Sequence, residues 1–490
     1  MKAVLHESPL ERYEMVYAGK TYAEISGESV VSDKMPDIGL LGTTSTQVLL
    51  RSKRTEMGAA IMEGDLAVDV CYIPDGAAGL CVLKMQLPWL AEFLSDEISG
   101  NHSPIGFVRL IQIETRMLNP RKILVKAKLE GEMRVFNGNS TTICDAVEAD
   151  DMIQVRTEEV DCSVVSTVCE KTFVATDEYP LPPQLNAVEV IGKNVQFKID
   201  DIKTLTNKLI VKGCVQSDVI LCSQEGETER ISFTSAFSFI AETDCEELSD
   251  RVRVDIMPTA MYYEVNASGR VLSVEVHGVC QMTVYGERHI TYLSDSYSNF
   301  YPCQYNCTEL SVYGDVKKQL HREKVAESVI CRSQLSCVRF LCGSHTESGS
   351  QINVLVEAYV QYENGTTDWI RKQVALPTKL NDGENICEVH LSDLYGTCSG
   401  TELEFRFNIE WETMTEVKMV LNPLVCIELD EENPLLPREA SLTVTRWQGD
   451  LWELARKYKS TVQQIRMYND IEGDDVPTER MLLIPRQKNK

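Results

Sequence analysis

Apolar and polar residues alternate over long stretches of the first 430 residues of this chain. The pattern is clear in residues 64–93 (GDLAVDVCYIPDGAAGLCVLKMQLPWLAEF), where two alternating runs flank a turn rich in Gly and Asp. Alternation with a period of two buries one face of a strand, and two such runs around a turn are typical of a β-hairpin. The pattern therefore predicts a mainly β protein built from antiparallel sheets.

The same order of segments occurs three times along the chain. The hairpin-like segments lie at 64–93, 208–240 and 352–380. A further alternating run follows each of them, at 122–136, 270–285 and 402–415. Because the hairpins begin 144 residues apart in both intervals, the spacing predicts three repeated antiparallel β units.

Prolines and charged turns indicate where these units end. We place the units at residues 1–180, 181–315 and 316–430, with a linker at 431–440 whose prolines and charges cannot continue a sheet. The connectors 150–174 and 308–327 are each long enough to hold a helix.

A helical pattern appears only near the C-terminus, after a short alternating run at Ser441–Thr445. Apolar side chains then recur at i, i+3, i+4 and i+7, which defines one face of a helix: Leu451, Leu454, Ala455 and Tyr458. Two capping boxes are expected, Asp450 with Glu453 and Ser460 with Gln463. A final run, Met481–Ile484, ends at Pro485. The tail is therefore predicted to fold as β-α-α-β at 441–487.

The motifs GD, LW, LARKY, STVQQI, YN and LLIP follow one another in this tail, and together they resemble the LysM family over residues 442–486. The resemblance implies binding of N-acetylglucosamine polymers, such as peptidoglycan or chitin, in a shallow groove between the loops 447–452 and 469–477. The implied groove residues are Trp447, Gly449, Asp450, Leu451, Trp452, Asn469, Asp470, Ile471 and Pro477.

Two departures from the LysM pattern leave the ligand open between glycan and protein. Gly449 lies three residues before Trp452 instead of four, and Thr478–Arg480 replaces the usual glycine before the second strand. Backbone amides make the sugar contacts in that family, so both changes affect glycan binding. Trp452 and Tyr458 are more typical of a core than of a ligand platform, whereas Trp447 is the better candidate for an exposed aromatic side chain.

Motifs in the body point to a second resemblance. They are LNPRKILVKAKLEG at 118–131, KLIVKGCV at 208–215, ISFTSAFSFI at 231–240 and YLSDSYSNFYP at 292–302. Together with the terminal LysM-like tail, they resemble the SipL family of clostridial spore-coat assembly proteins, which are built from SPOCS domains followed by a LysM domain.

This resemblance implies a non-enzymatic scaffold or adaptor in the mother-cell cytoplasm, located at the forespore surface. Its LysM domain would contact a coat basement-layer ATPase, the stage IV sporulation protein A. The alternative is a glycan-binding protein of the cell wall.

Charge and composition restrict the possible partners. The net charge is −26, while residues 441–490 carry nine basic and seven acidic side chains, so the remainder carries −28. Such an acidic body repels nucleic acid and anionic membrane surfaces. Residues 1–19 lack the apolar stretch of a secretory signal, and no later segment is apolar enough to span a membrane. The 17 cysteines contain no CxxC pair, which favours reduced packing residues in a cytosol.

Catalytic motifs are absent from the sequence: there is no GxxxxGK[ST], GxGxxG, HExxH or GxSxG. We therefore expect no catalytic residue, cofactor or metal site. The acidic run Glu148–Asp151 has two possible interpretations, because it could bind a divalent cation or form a solvated loop. Sequence alone also nominates no pair of glycosidase carboxylates.

Overall fold

The computed structural model describes residues 2–76, 79–148, 152–223, 227–243, 251–348, 351–381, 383–435 and 441–486. Strands make up 79% of the structure, and neighbouring strands pair antiparallel. The prediction of a mainly β protein with antiparallel sheets is therefore confirmed. The described residues contain two short helices, both in the C-terminal tail.

The first six strands form two three-stranded sheets. They are β1 (Leu5–Val30), β2 (Ile38–Glu56), β3 (Ala59–Pro74), β4 (Cys81–Leu94), β5 (Ser103–Asn119) and β6 (Lys122–Val147). One sheet has the order β2-β3-β4 and the other the order β1-β6-β5. The turn between β2 and β3 contains Gly58 at φ +81°, a backbone conformation that favours glycine.

The next six strands pair in the same order. They are β7 (Ile153–Pro180), β8 (Ala187–Leu205), β9 (Lys208–Ser223), β10 (Thr228–Glu242), β11 (Val252–Val265) and β12 (Val271–Ser298). β9 lies between β8 and β10, and β12 lies between β7 and β11.

A short strand, β13 (Cys303–Cys307), separates these strands from a third set with the same pairing order. The set consists of β14 (Leu310–Ile330), β15 (Leu335–Ser348), β16 (Gln351–Tyr362), β17 (Thr367–Pro377), β18 (Glu384–Ser399) and β19 (Glu402–Leu421). β16 is central in one sheet and β19 is central among β14, β19 and β18. The last strand of the body, β20 (Leu424–Leu429), pairs with β13.

The strand pairing can be compared with the two connectors and the unit boundaries that the sequence predicted. Neither connector forms a helix in its described residues, because 153–174 belongs to β7 and 310–327 belongs to β14. Val and Thr, which are stiff at χ1 and favour strands, are frequent in β7. β7 pairs with β12 from Ile153 to Pro180, so the boundary after 180 separates β7 from its partner, and the boundary at 315/316 falls inside β14. The linker residues 436–440 lie outside the described residues.

Each set of six strands encloses an apolar core between its two sheets. Side chains from the central strands alternate into it, as Leu66 and Val68 of β3 do against Val125 and Leu129 of β6. Equivalent cores lie between β9 and β12 and between β16 and β19. A fully buried Val, Leu or Phe stabilises a fold by roughly 1.5–3 kcal/mol, so these cores are the main source of the body's stability.

Polar side chains join the three sets. The amide of Gln281 on β12 both donates to and accepts from the backbone of Gly106 on β5, and Gln196 on β8 does the same with Leu391 on β18. These amides reproduce the hydrogen bonds of a neighbouring strand at sheet edges. Buried ion pairs lie nearby, with Asp255 of β11 bound to Arg134 of β6 at 2.7 Å.

The cysteines are packing residues in much of the body. Every cysteine in the described ranges is a free thiol, and Cys71, Cys214, Cys222 and Cys280 are buried. Burial raises the pKa of the Cys280 thiol well above its ordinary value. Because the thiolate is the reactive form, this side chain is chemically inert.

The tail module and its contact with the body

The C-terminal residues 441–486, called the tail module below, have the element order strand, helix, helix, strand. The elements are β21 (Ser441–Asp450), α1 (Leu451–Tyr458), α2 (Val462–Asn469) and β22 (Asp475–Arg486). β21 and β22 pair antiparallel, from Ser441 opposite Arg486 to Asp450 opposite Asp475.

Local sequence sets the start of each helix. Asp450 caps α1, as predicted, and its carboxylate accepts a hydrogen bond from the Trp452 amide at 2.8 Å. The cap predicted at Ser460 is wrong by one residue, because Thr461 caps α2 and accepts from the Gln464 amide at 3.2 Å. Ser460 instead turns inward and donates to the Pro485 carbonyl at 2.6 Å. Its hydroxyl satisfies a buried carbonyl of β22 and is not free to cap a helix.

One apolar core holds the module together. It contains the predicted inner face of α1 and side chains of α2 and β22, namely Leu451, Trp452, Leu454, Ala455, Ile465, Val476, Leu482 and Ile484. Tyr458 packs against this core and is only half-buried. Trp452 is 9% exposed, which confirms the prediction that it is a core residue.

The two loops of the predicted groove lie side by side. Gly449 is opposite Val476 in the β21–β22 ladder, and the Gln448 side-chain amide donates to the Pro477 carbonyl at 3.0 Å. The Leu451 amide donates to the Asp474 carbonyl at 2.8 Å. Gly449 has a φ of +108° with open space around it, a backbone conformation that disfavours other residues.

The predicted groove residues have different environments. Leu451 and Trp452 are buried, whereas Asp470 and Pro477 are exposed. Trp447 and Ile471 are half-buried and pack against the module core. Trp447 is therefore less exposed than its sequence position suggested.

Hydrogen bonds explain the partial burial of the groove. The Trp447 indole donates to the Asp450 carbonyl at 3.1 Å, and the Lys457 ammonium lies 5.9 Å from the ring centroid. Asn469 joins α2 to β22 by accepting from the Leu483 amide at 2.7 Å. These contacts give Trp447 and Asn469 structural roles in the module.

The body covers one side of the groove. Asp295 of β12 accepts a hydrogen bond from the Trp452 indole at 2.8 Å and forms an ion pair with Arg456 at 2.7 Å. Arg156 of β7 forms an ion pair with Asp450 at 2.6 Å. Sequence reasoning did not find Asp295 and Arg156, because nothing local in the sequence links them to the tail.

Tyr297 of β12 is part of the module's apolar core. Its ring meets that of Trp452 edge-on with centroids 4.8 Å apart, and its hydroxyl donates to the Ser460 carbonyl at 2.9 Å. Tyr297 is 2% exposed, and burial raises its pKa well above the ordinary value. The phenol therefore remains protonated as a hydrogen-bond donor at any physiological pH.

The second helix presents an open apolar surface. Met467 is 71% exposed and Tyr468 is 51% exposed. A shallow depression of about 450 Å³ lies beside Met467, and Asp470 and Ile471 of the predicted groove help to line it. The helical spacing of Met467 and Tyr468 relative to the buried Ile465 could have identified this surface from sequence.

The remaining sequence predictions concern metal ions and membrane spans. Among the described residues, no group of three His, Cys, Asp or Glu side chains could hold a metal ion. Residues 149–151 of the acidic run Glu148–Asp151 lie outside the described ranges. No helix of the described structure is long and apolar enough to cross a membrane.

Comparison with known proteins gives no family assignment. No family model, curated protein or solved structure matches this chain.

Proposed function

We propose that this protein is a non-enzymatic scaffold in spore-coat assembly, whose tail module binds a coat basement-layer ATPase resembling stage IV sporulation protein A. Under this proposal the tail module is a LysM domain, the three sets of strands are SPOCS-like units, and the protein acts in the mother-cell cytoplasm at the forespore surface. The sequence resemblances to the LysM and SipL families support it.

The observation that carries the proposal is the open apolar surface of α2. Met467 and Tyr468 are exposed beside Ile471, and aromatic and large apolar side chains are the usual energetic centres of protein interfaces. Because the body contacts Asp450 and Trp452 on the other side of the groove, a macromolecule reaches the module most directly through α2 and the loop that follows it.

Affinity measurements with the purified coat ATPase test the proposal. Deletion of 441–490 should abolish binding and leave a folded body, because the three body cores lie within 2–421. Met467→Ser should weaken binding about tenfold, by losing one interface anchor. Met57→Ser is the matched control, since Met57 is 84% exposed on the body. Persistent binding after the deletion would refute a role for the module.

Glycan binding by the same groove is the second candidate. The half-buried Trp447 beside the open Gly449 favours it, since an aromatic ring next to accessible backbone suits a sugar. Retention of the full chain by purified peptidoglycan or chitin, lost in Trp447→Ala, would support this function and count against the scaffold.

A further inference from the structure

A cavity of about 580 Å³ lies in the body where sheet edges of all three strand sets meet. Seven edge strands contribute to its lining, together with the central strand β16: β2, β5, β8, β11, β15, β17 and β18. This volume lies within the roughly 300–1,000 Å³ typical of small-molecule sites. We propose that this cavity binds a small uncharged saccharide, independently of the tail module.

The charged groups of the cavity already have partners within the protein. Arg109 forms ion pairs with Glu130 and Glu347, and Asp255 is held by Arg134 and Arg253. A charged ligand would have to break such a pair and leave a buried charge uncompensated, which is costly. The lining therefore disfavours anions and cations alike.

Uncharged polar side chains, by contrast, are available to a ligand. Gln47, Gln112, Thr346 and His345 line the cavity, and within the described structure none of these side chains has a hydrogen-bond partner. Burial, followed by the nearby His390, lowers the pKa of His345 to about 4, so its imidazole is neutral at pH 7, with one donor and one acceptor. These groups match the hydroxyls of a sugar, which would replace the water that otherwise hydrates them.

Apolar side chains complete the lining. Phe197 and Leu355 also line the cavity, and Phe197 is half-buried. Hydrophobic walls with a few oriented polar groups are the usual composition of a small-molecule site. Apolar walls suit the C–H faces of a sugar ring, while the amides, hydroxyl and imidazole suit its edges.

Calorimetric titration of the full chain with glucose, maltose and N-acetylglucosamine tests this proposal, with inorganic phosphate and spermidine as charged probes. We expect at least one saccharide to bind. The double variant Gln47→Leu, Thr346→Val should weaken that binding about tenfold or more. Trp447→Ala in the tail module should leave it unchanged, which separates this site from glycan binding by the module.

Thermal unfolding first establishes that the double variant folds. If it does not, Gln112→Leu, an exposed position at the mouth of the cavity, takes its place with the same expected direction. The proposal is refuted if no saccharide binds at millimolar concentration, or if the cavity variant binds as well as the wild type. Preferential binding of phosphate or spermidine would refute it too.

Discussion

In the body, long strands pair with a neighbour over nearly their full length, as β7 does with β12 from Ile153 to Pro180. In the tail module, β21 and β22 form a sheet of two strands. The body therefore contains large internal cores, whereas a domain as small as the module has little apolar area to bury. The module compensates by using the Tyr297 ring of the body in its own core.

The two regions also use charge differently. The body buries ion pairs such as Arg253–Asp255, in which both side chains are at most 4% exposed. The ion pairs between module and body, such as Arg156–Asp450, have side chains 43% and 29% exposed. Buried charges are expensive to leave unpaired, whereas exposed pairs contribute little. Removing one charge from a buried pair should therefore lower the stability of the body strongly. Removing one charge from an exposed pair between module and body should have little effect.

The largest expected effect follows from removing a buried carboxylate of the body. Asp255→Ala removes the nearest carboxylate of both Arg253 and Arg134, which keep only longer contacts, such as those to Glu416 at 3.7 and 3.8 Å. We expect the free energy of unfolding to fall by about 3–5 kcal/mol. Urea unfolding followed by circular dichroism measures this loss. Glu404→Gln, which removes the partner of the exposed Arg406, is the control and should leave the transition unchanged. Equal effects of the two variants would contradict the distinction between buried and exposed pairs.

The next largest expected effect is the loss of stability of the body at acidic pH, caused by His345. The pKa of His345 is lowered to about 4 by burial and by His390, whereas an unfolded histidine titrates near 6.5. Between these values the unfolded chain binds a proton that the folded protein does not, so stability falls as pH decreases from about 6.5 to about 4. Below that window this group causes no further loss. The module has no histidine, so the effect belongs to the body.

His345→Gln should therefore reduce the pH dependence of unfolding. The change in the free energy of unfolding between pH 6.5 and pH 4 should be smaller than in the wild type by at most about 3 kcal/mol. Urea unfolding at several pH values from 6.5 to 4 measures it. His6→Gln is the control, since His6 is 66% exposed. If the His345→Gln protein is as sensitive to acid as the wild type, His345 is not the titrating group.

Local sequence patterns predicted much of the secondary structure, but they did not predict contacts between residues that are distant in sequence. Alternation predicted strands such as β9, and the cap at Asp450 was predictable because it depends on residues within one turn. The partner of β7 is distant in sequence, since Pro180 lies opposite Val271 and Ile153 opposite Ser298 of β12. No local pattern therefore distinguished β7 from a long connector. The contact of Asp295 with Trp452 spans 157 residues, for the same reason. Even a local pattern did not fix the second cap, which is Thr461 and not the predicted Ser460. Both residue types cap helices well, so the sequence did not distinguish them.

A smaller effect is expected at the ring shared by the two regions. Tyr297→Ala removes an aromatic side chain from the module core and a hydrogen bond to the Ser460 carbonyl. We expect the module to lose about 2 kcal/mol, less than the usual 3–5 kcal/mol for a core aromatic, because Tyr297 lies on β12 and the module keeps all of its own core side chains. Hydrogen exchange of the α1 amides measures it. Tyr262→Ala, at a 53% exposed position of the body, should leave α1 protection unchanged, and similar exchange in both variants would show that the body does not support the module.

The smallest effect is expected at the exposed ion pair between the regions. Arg156→Gln removes the partner of Asp450, but solvent screens this pair, so the module should lose between about 0 and 1 kcal/mol in α1 exchange. Asp295→Asn is the informative comparison, because Asp295 is only 18% exposed and binds both Arg456 and the Trp452 indole. Its loss should exceed that of Arg156→Gln, since hydrogen bonds to a charged group contribute about 1.5–3 kcal/mol. If Arg156→Gln is the more damaging change, the module is held by its exposed edge and not by the buried contact around Trp452.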